Sequence, residues 1–181
     1  MIKRLMRLFK GKKSEIEDTK IDFEIEDLKK GYFLDYDLTT WQIIDFSTYT
    51  WDNGVTDFES TLFDGGNKKL FLTYETINKA SSMYWEVSID KIWGEARQKI
   101  RADQDLSQET FTFEGKDYHF AGEGSALVKS TKEKYTMVNW LFESSDHKHL
   151  VSFNRYDDRF IDAYIGIRIT EHQISNITPG K

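Results

Sequence analysis

Every reversal of this chain before residue 179 has to be made without proline, because Pro179 is the only one it contains. At ordinary usage of about 5%, roughly nine would be expected in a chain of this length. Turns therefore fall to Gly, Asn, Asp and Ser, whose backbones or side chains close tight reversals. From Gly31 onward these residues punctuate short runs rich in β-branched and aromatic side chains, the pattern of an antiparallel meander. Residues 40–51 run into Asp52-Asn53-Gly54 and on to 55–63. Asn-Gly suits positive φ at both central positions of a hairpin turn. Asp64-Gly65-Gly66-Asn67 leads to a strand over 69–74, and residues 78–82 turn into 83–89. Farther on, 110–113 and 117–120 flank Glu114-Gly115-Lys116, and strands are predicted over 127–130, 134–143, 149–155 and 160–172. Leu70, Leu72 and Tyr74 alternate with Lys69, Phe71 and Thr73, which predicts one face more buried than the other.

One stretch departs from this rhythm. Ile89, Ile92, Trp93, Ala96 and Ile100 keep helical spacing with polar residues between them, so a short connecting helix is predicted near 90–101. It joins two groups of strands that look alike, since residues 61–74 can be laid on 140–153 with one insertion. The expected fold is mostly β, an antiparallel meander of about ten strands in one domain over 27–179. Its two similar halves, about 31–89 and 110–174, would form two packed sheets or a flattened barrel.

Charge is unevenly spread. The chain carries 25 basic and 31 acidic residues, a net of -6. Lys3, Arg4, Arg7, Lys10, Lys12 and Lys13 make the first thirteen residues +6 with no acid among them. Removing those six leaves 19 basic residues against 31 acidic, a body of -12. Such a body repels phosphates, which argues against nucleic acid as a partner. In the basic segment Ile2, Leu5, Met6 and Phe9 fall at i, i+3, i+4 and i+7, predicting an amphipathic helix over 1–13, followed by an acidic polar linker over 14–26. The helix suits an anionic membrane surface or a protein partner, and equally a berth on the acidic body. With no small-residue cleavage site it is a poor secretory signal. With no apolar run of about 18 residues, no spanning helix is expected. A cytoplasmic protein, peripheral at the inner face of the membrane, is the expectation.

A set of short elements carries a family likeness. Leu28-Lys29-Lys30-Gly31-Tyr32-Phe33-Leu34-Asp35-Tyr36 leads into Thr40-Trp41-Gln42-Ile43, then Tyr49-Thr50-Trp51-Asp52-Asn53-Gly54 and Phe58-Glu59, and the chain closes on Ile174-Ser175-Asn176-Ile177-Thr178-Pro179. Together they resemble the uncharacterised bacterial family called domain of unknown function 4178, over about residues 27–179. The resemblance brings no activity and no catalytic residue. It implies proximity to membrane-stress and polyamine-related genes, which fits a peripheral membrane role or a link to envelope stress. The motif positions Gly31, Trp41, Tyr49, Trp51, Gly54, Asn176 and Pro179 read as structural, since strand aromatics more often fill cores than contact ligands.

The residues themselves offer little reactive chemistry. Absence of Cys removes disulfides, thiol nucleophiles and zinc–thiolate sites. His147-Lys148-His149 would set two imidazoles on one strand face, with Glu143 or Asp146 as further ligands, yet a catalytic zinc site needs three protein ligands; a solvated hairpin end is the better reading. His119, between Tyr118 and Phe120, reads as surface-facing. Gly122-Glu123-Gly124-Ser125 opens no helix and lacks the Lys of a phosphate loop, so it reads as a turn or bulge. Asp45, between Ile44 and Phe46, is the carboxylate nearest to an apolar setting and reads as a bulge or exposed face. The expected function is a non-enzymatic interaction module acting through residues 1–13, without cofactor or metal. The alternative is a calycin-like barrel carrying a small apolar ligand, and the third reading is a metal-dependent enzyme.

Overall fold

The computed structural model describes residues 22–156 and 160–180. The basic segment over 1–13, and the linker as far as residue 21, lie outside them. The described chain begins with a 3-10 turn, Ile25–Asp27, whose Ile25 is buried. Eleven strands follow: β1 (Phe33–Tyr36), β2 (Thr39–Trp51), β3 (Thr56–Phe63), β4 (Lys69–Glu75), β5 (Ala80–Val87), β6 (Thr110–Phe113), β7 (Lys116–Lys129), β8 (Lys134–Ser144), β9 (His149–Tyr156), β10 (Phe160–Ile169) and β11 (Ile174–Thr178). They form one antiparallel sheet in the order β11-β1-β2-β3-β4-β5-β10-β9-β8-β7-β6. A further pairing of β2 with β7, from Thr48↔Lys129 to Trp51↔Ala126, closes eight of them into a ring. Strands β1, β11 and β6 lie outside that ring: β1 pairs with the first part of β2, β11 with β1, and β6 with the first part of β7. Among the described residues, closure leaves only β11 and β6 as edge strands, fewer than the four edges of two separate sheets, and of the two expected arrangements the barrel is the one observed.

Several local readings are corrected. Residues 117–120 and 127–130 belong to one long strand, β7, because Gly122 sits at a bulge and pairing with β8 continues past it. Of the two readings offered for the glycine-rich stretch, turn or bulge, the bulge is the one observed, inside a strand. Gly124 has a reason to lack a side chain there: a Cβ would stand 3.2 Å from the Trp51 ring. The expected helix near 90–101 is two short ones, α1 (Ile89–Ile92) and α2 (Ala96–Arg101), interrupted where Trp93 adopts an extended backbone ahead of Gly94. At Asp52-Asn53-Gly54 only Gly54 has positive φ, and Trp51 N–H donates to Val55 while Gly54 N–H donates to Trp51. That is a three-residue hairpin loop with Gly in the left-handed position, and Asn53 serves by its side chain, accepting from Val55 N–H.

Besides a small cluster of Ala126, Val128 and Met137 packed with Tyr49, Trp51, Tyr135 and Tyr156 beside the lumen, two apolar cores sit on the outside of the ring. One packs Ile89, Ile92, Ala96 and Ile100 of the two helices, with Leu106 and Phe111, over Trp140, Phe142, Val151 and Phe153. The other packs Ile25, Leu28, Leu34 and Ile174 over Trp41, Ile43, Leu62, Leu72 and Met83. Leu72 and Tyr74 are buried as alternation predicts, but under covering segments outside the ring. The opposite face of the same strand looks inward.

Candidate functional site

The ring encloses a cavity of about 400 Å³ to which strands β2, β3, β4, β5, β8, β9 and β10 contribute side chains. Its lining is rich in hydroxyl-bearing rings: Tyr49, Tyr84, Tyr135, Tyr156 and Tyr164, with the Trp51 indole stacked on Tyr49 at 6.2 Å. Tyr135 and Tyr156 meet edge to face at 5.5 Å. This inward face keeps the strand period of two, so each tyrosine is fixed by backbone register while its outward neighbours anchor the covering cores.

One wall is a connected polar network. Asn139 Nδ2 donates to Ser152 Oγ and to Asn154 Oδ1, both at 2.7 Å. Ser152 Oγ donates to Asn154 Oδ1 at 3.0 Å, and Asn154 Nδ2 reaches the Tyr156 hydroxyl at 3.3 Å. Tyr156 also accepts from Tyr164. Each of these groups is oriented by the next, which holds the wall rigid.

Glu59 projects from β3 into the cavity opposite this wall. Burial pushes its carboxyl up to about 7, against the hydrogen bond that Tyr49 donates to it, and the Asp45 charge pushes in the same direction as burial. Burial raises the hydroxyls of Tyr49, Tyr84, Tyr135, Tyr156 and Tyr164, and the Glu59 charge adds to the rise in all five. The carboxylate is thus near the electrostatic centre of the lumen. Asp57, toward one end, is fully engaged: Trp51 Nε1 donates to Oδ2 at 2.7 Å and Thr76 N–H to Oδ1 at 2.9 Å. Glu75 pairs with Arg168 at 3.5 Å.

The residues singled out in the sequence scatter. Tyr49 and Trp51 line the cavity. Trp41 is buried in an outer core, its Nε1 donating to the Tyr36 carbonyl. Gly31 and Gly54 hold positive φ at turns; Asn176 also does, and its amide donates to Asp35 at 2.7 Å. Pro179 follows β11 and is exposed. Asp45 lies at a bulge in β2 and its carboxylate receives Thr131 N–H, the Thr131 hydroxyl and Phe46 N–H. His147 occupies the β8–β9 turn at positive φ, so it does not share a strand face with His149; its Nδ1 meets Glu143 at 2.9 Å and His149 approaches Asp146 at 3.9 Å. His119 is exposed beside Ser145. Among the described residues no group of three His, Cys, Asp or Glu could hold a metal ion, and no helix is long and apolar enough to cross a membrane.

Glu59 and the tyrosines opposite it are what sequence reading missed. The one available signal was Tyr49-x-Trp51 and Glu59 standing at inward positions on adjacent strands, which only ring closure makes inward.

A family model described as "Domain of unknown function (DUF4178)" matches residues 29–171. An uncharacterised protein of Aquifex aeolicus (strain VF5) is 24% identical over 180 residues, covering 98% of both chains. No solved structure matches.

Proposed function

The chain belongs to the family of domain of unknown function 4178, and we propose that within it the barrel is a non-enzymatic receptor or carrier that holds a small molecule in its lumen. The observation that carries this reading is the cavity of about 400 Å³ within the ring, lined by pre-oriented polar and aromatic groups, the size and character of a small-molecule site. A domain that needed only stability would fill a small barrel with apolar side chains. Here the two larger apolar cores are outside, and although Ala126, Val128 and Met137 fill part of the inside, the lumen keeps space. The ligand expected is therefore polar and aromatic-compatible rather than the apolar one the sequence suggested. Native mass spectrometry of the full chain tests it. Retention of a small-molecule adduct that denaturation releases supports the reading. A ligand-free mass, together with no thermal shift across a chemically diverse metabolite set, removes it.

Two finer readings accompany this one. The basic segment over 1–13 is proposed to dock the acidic body on an anionic membrane surface at the cytoplasmic face, on the strength of the charge split alone. The halves 31–89 and 110–174 are proposed to be a duplicated unit. Supporting this, β2 to β5 and β7 to β10 repeat the same pairings, and the bulges at Ile43/Asp45 and Phe120/Gly122 fall at matching places. That register, one to two residues from the sequence alignment, pairs Tyr84 with Tyr164 and Glu59 with Asn139 as equivalent positions. The lumen would then owe Glu59 to divergence of one half.

A further inference from the structure

The cavity has a sign. Five carboxylates line it, those of Asp45, Asp57, Glu59, Glu75 and Glu133, and among the described residues no Lys, Arg or His does. Four of the five are accounted for without a ligand. Asp45 is taken up by Thr131 and Phe46, Asp57 by Trp51 and Thr76, Glu75 by Arg168, and Glu133 is exposed at the margin. Glu59 alone faces the enclosed space with one neutral donor, Tyr49, and no counter-charge. A buried charge without a partner is costly, and the group neutralises by holding a proton instead. Around it stand the rings of Tyr49, Tyr84, Tyr135, Tyr156 and Tyr164. Aromatic faces attract cations and are indifferent to the rest of a ligand's shape.

Resting on the receptor reading above, we propose that the lumen takes a small organic cation, an ammonium-bearing molecule whose charged nitrogen seats against the Glu59 carboxylate within the tyrosine rings. The apolar or hydroxylated remainder lies along the Asn139–Ser152–Asn154 wall. An anionic ligand is disfavoured by every acid in the lining. A neutral one leaves the Glu59 carboxyl to keep its proton. Binding the cation is therefore an exchange: the ammonium enters carrying its positive charge, the Glu59 carboxyl gives up its proton to solvent, and one ion pair forms. The groups facing Glu59 that set this balance are Tyr49 and Asp45 on β2, Tyr84 on β5, Tyr135 on β8, Tyr156 on β9 and Tyr164 on β10. With the free carboxyl at about 7, apparent affinity falls roughly tenfold from pH 8 to pH 6, the proton competing directly for the carboxylate.

Isothermal titration calorimetry of the full chain with phenethylammonium, phenethyl alcohol and 3-phenylpropionate, which match in size and differ in charge, reads this out. The expected result is binding of the ammonium at least tenfold tighter than of either partner. Close to one proton should be released at pH 6 and few at pH 8, as measured in buffers of different ionisation heat, and Glu59→Gln should abolish the preference. Gln is isosteric and removes a buried acid, so the variant is expected to fold. Equal affinity for the three probes, tighter binding of the carboxylate, or an unchanged preference in E59Q overturns the cation assignment. If the alcohol binds best and Tyr164→Phe weakens it, the lumen is a neutral-ligand site and only the receptor reading survives. If no probe binds and the native protein carries no adduct, both fall.

Discussion

At the scale of single residues, Glu59 couples the stability of the barrel to pH. Its folded carboxyl titrates at about 7 against 4.5 for the unfolded chain, so the native state holds the proton more tightly. The destabilisation is absent below pH 4.5, grows as pH rises through the interval, and is complete above about 7. Its size is on the order of 3 kcal/mol. Urea unfolding at pH 5 and pH 8 should therefore show E59Q gaining on the native chain only at the higher pH. A gain equal at both would mean that Glu59 does not titrate in this window. Gly166 makes a second case. It pairs with Tyr84 across β10 and β5, and a Cβ there would stand 2.4 Å from Tyr84 Cδ1 and 2.5 Å from Cε1. Gly166→Ala must displace a lumen ring, costing about 1–3 kcal/mol and weakening whatever the cavity binds. A variant as stable as the native chain would show that the ring moves freely. Gly166 did not stand out in the sequence, since a glycine in a strand names no partner. Glu59 entered only within Phe58-Glu59 of the family likeness, where an acid between Phe58 and Ser60 reads as solvent-facing.

At the scale of elements, closure depends on the β2–β7 seam, which is four residue pairs long against eleven for β7–β8. Asp45 reinforces it. Burial works to raise its carboxyl, but the hydrogen bonds from Thr131 and Phe46 prevail and hold it below the usual range, with Lys30 nearby acting in the same direction. The bulge at Asp45 thus turns a carboxylate toward the β7–β8 turn. Asp45→Ala leaves Thr131 N–H without its acceptor and should cost about 1–2 kcal/mol, with faster amide exchange along residues 48–51 than along β9. Uniform exchange across both would assign Asp45 no part in closure. The strands and turns were largely legible, because Asn53-Gly54 and Glu114-Gly115 between alternating runs leave few other foldings. Closure was not. Period two separates two faces without saying which is enclosed. The four pairs that close the ring join residues 75 to 81 positions apart, where Tyr49 and Trp51 meet Val128 and Ala126, whose side chains name no partner.

At the scale of the whole molecule, polarity is inverted twice. The ring carries apolar cores outside and an acidic, tyrosine-lined cavity inside, and the -12 body carries a +6 segment in its first thirteen residues. The acidic body cannot approach an anionic surface by itself, since like charges repel over a Debye length of about 8–10 Å. Any such approach must run through Lys3, Arg4, Arg7, Lys10, Lys12 and Lys13. Each basic residue near an anionic leaflet contributes about 1 kcal/mol, and Ile2, Leu5, Met6 and Phe9 supply an apolar stripe for the headgroup boundary. Vesicles of phosphatidylglycerol and phosphatidylcholine should therefore pellet the full chain at low salt and lose it as salt rises. A chain beginning at Ser14 should stay in the supernatant throughout. Equal pelleting of the two assigns the basic segment to a protein partner or to the body itself. The lumen is separate from this test, because Glu59 lines the cavity inside the ring. A result with vesicles and a result with phenethylammonium therefore bear on separate parts of the chain, one on where the barrel is held and the other on what it holds.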